Sequence, residues 1–209
     1  IGLVYHYILA EVLQELVEEG VDWGALTIDA LQPRIETVME AYLQQGLAAI
    51  LSDTGKNSYF KQKILQVVSR SLLQICQQLA CGSFIPVGWE MSFGSGQEVA
   101  GMPVALADGT TVEIRGQIDR VDRAQGNHTY YRILDYKMAN KNLTLSDLYY
   151  GLNWQLPVYL RTLLRSEQKR QQQPGQIRPA GMFYISVRET IQSVLTANET
   201  PQQDLKLHG

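Results

Sequence analysis

Two short segments carry side chains that can act together: Gly116-Gln117-Ile118-Asp119-Arg120-Val121-Asp122 and Ile133-Leu134-Asp135-Tyr136-Lys137. Both lie in stretches rich in Val, Ile, Tyr and Thr, residues 111–122 and 129–138, with Gln125-Gly126-Asn127 as a turn signal between them. An antiparallel hairpin pivoting near Asn127 pairs residues whose numbers add to 254, which sets Asp119 opposite Asp135 and Asp122 opposite Arg132. Directly opposed residues share a face, with Cβ atoms about 4.5–5.5 Å apart. Lys137 follows Asp135 by two residues, on the same face and roughly 7 Å along the strand. Side-by-side carboxylates repel unless one is protonated or a cation lies between them. Hard oxygen ligands suit Mg²⁺ or Mn²⁺. Such an ion polarises a phosphoryl oxygen and acidifies a bound water. A neighbouring ammonium group can orient that water or offset charge developing on the phosphate. The alternative is a half-exposed hairpin with a solvated polar face.

Other positions stand out further along the chain. His6 sits among the apolar residues of a predicted first helix, where a lone histidine reads as core packing. Gly88-Trp89-Glu90-Met91-Ser92-Phe93 alternates like a strand, so Glu90 points away from Trp89, Met91 and Phe93; alone it reads as solvent-facing. Gln155 and Tyr159 are four apart on one face of a helix predicted from Leu148 to Arg165, a spacing more common on surfaces than in sites.

Taken in order, the fragments G-x-x-x-H (Gly2 to His6), a lone strand Glu before a Phe (Glu90, Phe93), G-x-I-D-R-x-D (Gly116 to Asp122), D-Y-K (Asp135 to Lys137), Y-Y-G-L (Tyr149 to Leu152) and Q-x-x-x-Y (Gln155 to Tyr159) resemble one family. The chain is similar to the RecB-family nuclease domain of the PD-(D/E)XK superfamily, and most of all to the C-terminal nuclease domain of AddB-type subunits of AddAB helicase–nucleases. The resemblance covers residues 2 to 187. It implies a restriction-endonuclease-like fold and a metal-dependent DNA exonuclease. The implied substrate is single-stranded DNA, fed by a helicase subunit or domain during double-strand-break repair in the cytoplasm. It also implies roles: His6, Asp119, Asp135 and the Tyr136 carbonyl as metal ligands, Lys137 serving the attacking water, Glu90 as an accessory acid, and Gln155 and Tyr159 positioning the DNA backbone or the lysine. An imidazole partner is commoner for Mn²⁺ than for Mg²⁺.

The chain departs from that pattern in places. AddB-type domains carry four cysteines for an iron–sulfur cluster, one before the first helix and three after the last strand. This chain has only Cys76 and Cys81, predicted within a helix, so no cluster is expected in this fragment. Their C-x₄-C spacing is no zinc signature. Met138 and Gln117 replace the usual small hydroxyl residue and Arg, and Pro157 is expected to kink the Gln155–Tyr159 helix.

At 209 residues and 45% hydrophobic, one domain with a real core is expected. No apolar run reaches the length of a membrane span, no signal peptide is visible, and the chain starts at Ile1, as expected of a domain cut from a longer protein. Two cysteines suit a reducing compartment. The net charge of −3 hides an asymmetry: residues 1–54 hold nine acids and one base, residues 115–188 twelve bases and five acids. The basic stretch, which includes Arg115, Arg120, Arg123, Lys141, Arg161, Arg165, Lys169, Arg170 and Arg178, is a candidate phosphate-binding face, or else a solvated one.

The elements that must position these groups follow from periodicity. Helices are predicted over residues 2–19, 29–51 (Pro33 in the first turn) and 58–80, making a helical layer within 1–82. Asp22 or Thr27 caps the second, and residues 53–57 break the chain. Strands follow near 84–93, 103–106, 111–122 and 129–138, then a crossover helix 145–169 and a strand 181–187, giving a catalytic α/β core over 83–188 and a polar tail over 189–209. The fold class is α/β, a mixed β-sheet flanked by helices. Two other functions remain open: a non-catalytic DNA-binding or assembly module that keeps the fold, and a stand-alone nuclease of the same family.

Overall fold

The computed structural model describes residues 2–44, 55–139, 141–171 and 176–187. They form two compact units: one holds the described residues of 1–81, 137–139 and 185–187, the other those of 82–136 and 141–184. Among the described residues, no helix is long and apolar enough to cross a membrane.

The first unit is helical. Helix α1 (Gly2–Glu19) buries Tyr5, Ile8, Leu9, Val12, Leu13 and Leu16, one stripe at helical spacing. It stops at Gly20, whose φ of 64° places it in the left-handed region. There Gly20 N–H donates to the Val17 carbonyl (3.1 Å) and Val21 N–H to that of Leu16 (3.3 Å), closing the helix end. Both expected caps are used: Asp22 accepts from Gly24 N–H in a 3₁₀ turn (Trp23–Ala25), and Thr27 from Ala30 N–H at the start of α2 (Ile28–Tyr42). Pro33 is the sixth residue of α2, inside the helix rather than in its first turn, and there it costs a backbone hydrogen bond. The predicted end of this helix falls outside the described residues. Arg34 grips Glu19 with two hydrogen bonds, 2.6 and 2.8 Å, joining α2 to α1. Helix α3 (Gly55–Ala80) begins inside the predicted break and buries Ile64, Val67, Val68, Leu72, Ile75 and Leu79. Each such fully buried side chain contributes roughly 1.5–3 kcal/mol. Cys76 is buried in α3, while Cys81 lies just past it and is exposed.

The second unit is built on a four-stranded sheet in the order β1 (Ile85–Phe93), β4 (Gly116–Gln125), β5 (Thr129–Lys137), β6 (Ile177–Ser186). Strands β1 and β4 pair antiparallel, as do β4 and β5. Hydrogen bonds from Thr129 N–H to the Gln176 carbonyl and from Val187 N–H to that of Lys137 advance together along both strands, so β6 runs parallel to β5 and the sheet is mixed. Helices α4 (Leu145–Tyr149) and α5 (Gln155–Gln171) make the crossover between them. This mixed α/β architecture is the restriction-endonuclease-like arrangement expected from the sequence.

Two predicted elements are divided. The stretch 111–122 is two strands: β3 (Thr111–Ile114) leaves to pair with β2 (Met102–Ala105) in a separate ribbon. The crossover helix is broken between α4 and α5, where Gly151 takes φ 73° and the buried Asn153 Oδ1 accepts from Tyr184 Oη at 2.7 Å. Pro157 therefore falls on the third residue of α5, in the turn whose N–H groups have no helical partner, and the expected kink has no cause. Strand β6 also starts four residues before the predicted 181, at Ile177.

Candidate active site

The register of the β4–β5 hairpin is the one its sequence implies. Arg120 pairs with Leu134, Val121 with Ile133 and Asp122 with Arg132, numbers that each add to 254. Asp119 and Asp135 are the next residue on each strand beyond the last of these pairs. Both carboxylates are buried. There a side chain takes over from the backbone ladder: Asp119 Oδ2 accepts from the Tyr136 N–H at 2.7 Å. That bond ties the Asp119 carboxylate to the backbone of β5 just past Asp135.

Alternation then sorts the residues by face. Arg120, Asp122 and Tyr136 lie on one side of the sheet, as their mutual hydrogen bonds require. Asp135, bonded to Gln155 of α5, lies on the other.

Helix α5 supplies that face with two more side chains. Gln155 Nε2 donates to Asp135 Oδ1 at 2.7 Å and lies 3.3 Å from Tyr159 Oη. Tyr159 in turn stands edge-on to Phe93, ring centroids 5.3 Å apart. Gly116 makes room for that ring pair, since a Cβ there would come within 2.7 Å of Phe93 Cζ and 3.1 Å of Tyr159 Cε1. The i, i+4 pair read from the sequence is thus turned inward, not to solvent.

Glu90 comes from β1. Its neighbours pair Trp89 with Arg120 and Met91 with Ile118, which leaves Glu90 facing Asp119. A carboxylate oxygen of Glu90 lies within 4.8 Å of one of Asp119. Glu90 is half-buried rather than solvent-facing, and it is the one non-glycine residue with positive φ (46°) among the described residues. Such a conformation costs of order 1–3 kcal/mol and persists only where its surroundings impose it. The Glu90 carbonyl accepts from Gln117 Nε2 at 3.1 Å, so Gln117 fixes this turn of the backbone. His6 lies half-buried on α1 of the helical unit.

Behind the site is a buried ionic lattice. Asp122 accepts from Arg120 Nε (2.8 Å) and Nη2 (3.0 Å), and from Arg132 Nε (2.9 Å). Arg120 Nη1 donates to Tyr136 Oη at 3.0 Å. Burial pulls the Arg120 guanidinium down, but Tyr136 and Asp122 more than offset it and hold it above the ordinary arginine value. Burial pushes the Tyr136 phenol up to about 12, against the lowering influence of Arg120. Arg120 is therefore not available to phosphate, contrary to its place among the candidate phosphate-binding cations, and Arg132 is committed to Asp122 and to the Phe84 ring (4.4 Å). The Asp122–Arg132 pair was legible from register; the Arg120–Asp122 pair had a signal too, since residues two apart on a strand share a face.

The donor set fits a hard divalent cation. Glu90 and Asp119 offer carboxylate oxygens within 4.8 Å of one another, and Asp135 is a further buried carboxylate on the neighbouring strand; close carboxylates favour a cation or a proton between them.

The chain is similar in sequence to known proteins. The family model described as the PD-(D/E)XK nuclease superfamily matches residues 1–207. Several curated relatives are named as subunits of an ATP-dependent helicase/deoxyribonuclease. The one from Alkaliphilus metalliredigens is 32% identical over 90% of this chain and 16% of its own length. That of Thermoanaerobacter pseudethanolicus is 33% identical over 91% and 16%, and that of Bacillus anthracis 32% over 93% and 17%. The chain spans about one sixth of the length of these relatives.

Proposed function

Because the chain belongs to the PD-(D/E)XK nuclease superfamily, we propose that it hydrolyses phosphodiester bonds of DNA, as the nuclease domain of an ATP-dependent helicase–nuclease. The observation that carries this is the pair of buried carboxylates at the end of the β4–β5 ladder, Asp119 held by Tyr136 N–H and Asp135 by Gln155.

Mg²⁺ or Mn²⁺ would be held by Asp119, Asp135 and the Tyr136 carbonyl, with Glu90 as an accessory acid; His6 joins as a nitrogen ligand on the family pattern alone. A bound ion supplies charge to the phosphoryl oxygen and a more acidic water. The chain's own groups do the rest. Lys137, two residues past Asp135, orients the attacking water and offsets charge on the phosphate. Gln155 and Tyr159 fix the rotamer of Asp135. The substrate is single-stranded DNA delivered by a helicase partner in the cytoplasm during double-strand-break repair; the name the relatives carry supports the helicase and deoxyribonuclease parts of this reading.

The test is direct. Linear single-stranded and duplex DNA are incubated with the chain and Mn²⁺ or Mg²⁺, with and without chelator. Metal-dependent cleavage, lost in Asp119→Ala and Lys137→Ala variants of unchanged circular dichroism, is expected. Cleavage retained in either variant, or none sensitive to chelator at high protein concentration, overturns the reading; the latter outcome favours a binding module.

A further inference from the structure

The segment between α4 and α5 is built inside out. Its polar residues point inward: Asn153 is buried against Tyr184 Oη, and Gln155 reaches Asp135. Its large apolar residues point outward: Tyr149 is 84% exposed, Leu152 77%, Tyr150 71% and Trp154 57%. Leaving such side chains in water forgoes the main driving force of folding, and a contiguous exposed apolar patch marks an interaction site.

The backbone fixes this presentation. Leu152 N–H donates to the Asp147 carbonyl at 2.8 Å and Gly151 N–H to that of Leu148 at 3.2 Å. The Tyr149 and Tyr150 rings stand nearly perpendicular, centroids 5.2 Å apart. Trp154 accepts the first bond of α5, from Val158 N–H at 3.0 Å. From there α5 has two faces. Tyr159, Leu163 and Glu167 turn inward, while the exposed Arg161, Arg165 and Lys169, each two residues on, lie about 200° around the helix. Trp154 precedes Arg161 by about two turns and lies near that outer, cationic face.

We propose that Tyr149, Tyr150 and Trp154 form a stacking platform for the bases of a single-stranded nucleic acid, with its phosphates following Arg161, Arg165 and Lys169. The proposal rests on the nuclease reading and deepens it, by naming the residues that would hold the single strand leading to Asp135. Two observations favour this occupant over an apolar protein surface. The patch is dominated by flat rings, which stack on any base. The adjoining helix face carries three exposed cations, which suit a polyanion. A duplex, whose bases are already stacked, offers the platform nothing.

Binding is measured by fluorescence anisotropy on the full chain with metal removed by chelator, so that nothing is cleaved. The probes are a labelled oligothymidylate, an abasic oligomer of the same length and a duplex. The chain should prefer oligothymidylate to the abasic strand. Tyr149→Ala, Tyr150→Ala and Trp154→Ala should each weaken oligothymidylate binding about tenfold, or about 1.4 kcal/mol, and leave abasic binding unchanged. Trp154→Phe should restore most of the loss. Alanine variants that bind oligothymidylate as wild type does, or that weaken both strands equally, overturn the platform. So does light scattering showing that the rings are covered by a second copy of the chain. Metal-dependent cleavage is assayed separately: if it persists while base preference is absent, the platform falls and the nuclease reading stands, and the converse result separates them the other way.

Discussion

Asp122 is the residue whose removal should be felt most by the fold without touching the proposed reaction. It is fully buried and accepts hydrogen bonds from two arginines, one of which, Arg120, is itself fully buried. Asp122→Ala strands the Arg120 guanidinium in a site closed to bulk water. Removing one partner of a buried pair costs about 3–5 kcal/mol, because the remaining charge is uncompensated. Arg132, partly exposed and lying over Phe84, can turn to solvent and adds little. A domain of this size is stable by about 5–15 kcal/mol, so the variant should fold but unfold at much lower denaturant. Asp122→Asn keeps one acceptor and should lose roughly half as much. The double variant Arg120→Met, Asp122→Leu should recover most of the loss, since well-packed apolar groups replace a buried ion pair at little cost. The assay is urea unfolding followed by circular dichroism, with slopes compared so that differences in midpoint report stability. An Asp122→Ala loss under about 1 kcal/mol, or a double variant no better than the single one, refutes the argument that the lattice is a buried, closed charge set.

Tyr136 stays protonated to about pH 12 in the fold but to about pH 10 unfolded, so the unfolded state loses its proton first and stability should fall between those limits, by up to about 3 kcal/mol. Tyr136→Phe should flatten that decline in urea midpoints measured from pH 9 to 12; an unchanged slope contradicts it. Gln155→Ala removes the 2.7 Å bond to Asp135 and should lower cleavage or apparent Mn²⁺ affinity about 10- to 100-fold at unchanged melting temperature. Glu90→Gly relieves a positive-φ backbone and should raise stability by about 1 kcal/mol while lowering cleavage, read from paired unfolding and activity assays. Gly116→Ala forces Phe93 and Tyr159 apart and should cost about 1–3 kcal/mol, seen in the unfolding midpoint.

The hairpin was legible because a two-residue period and a single turn signal fix register, and register decides which side chains meet. The inward turn of Gln155 and Tyr159 was legible only through the family resemblance, since i, i+4 polar pairs look alike whether they face water or a carboxylate. What escaped the sequence depends on contacts distant in the chain. Nothing local marks Glu90 as left-handed; Gln117 and the β1–β4 register impose it. The break before α5 comes from Asn153 meeting Tyr184, thirty-one residues away, and it turns Pro157 from an apparent helix breaker into a first-turn residue. Arg120 counted as a surface cation because composition cannot see that Asp122 and Tyr136 enclose it.

That Asp119 and Asp135 hold a divalent ion is tested most directly in crystals of the chain soaked in Mn²⁺, with diffraction recorded for anomalous scattering. A peak in contact with both carboxylates and the Tyr136 carbonyl, absent from Asp119→Ala crystals, is the expected result. No peak at saturating Mn²⁺, or one away from these residues, contradicts the account.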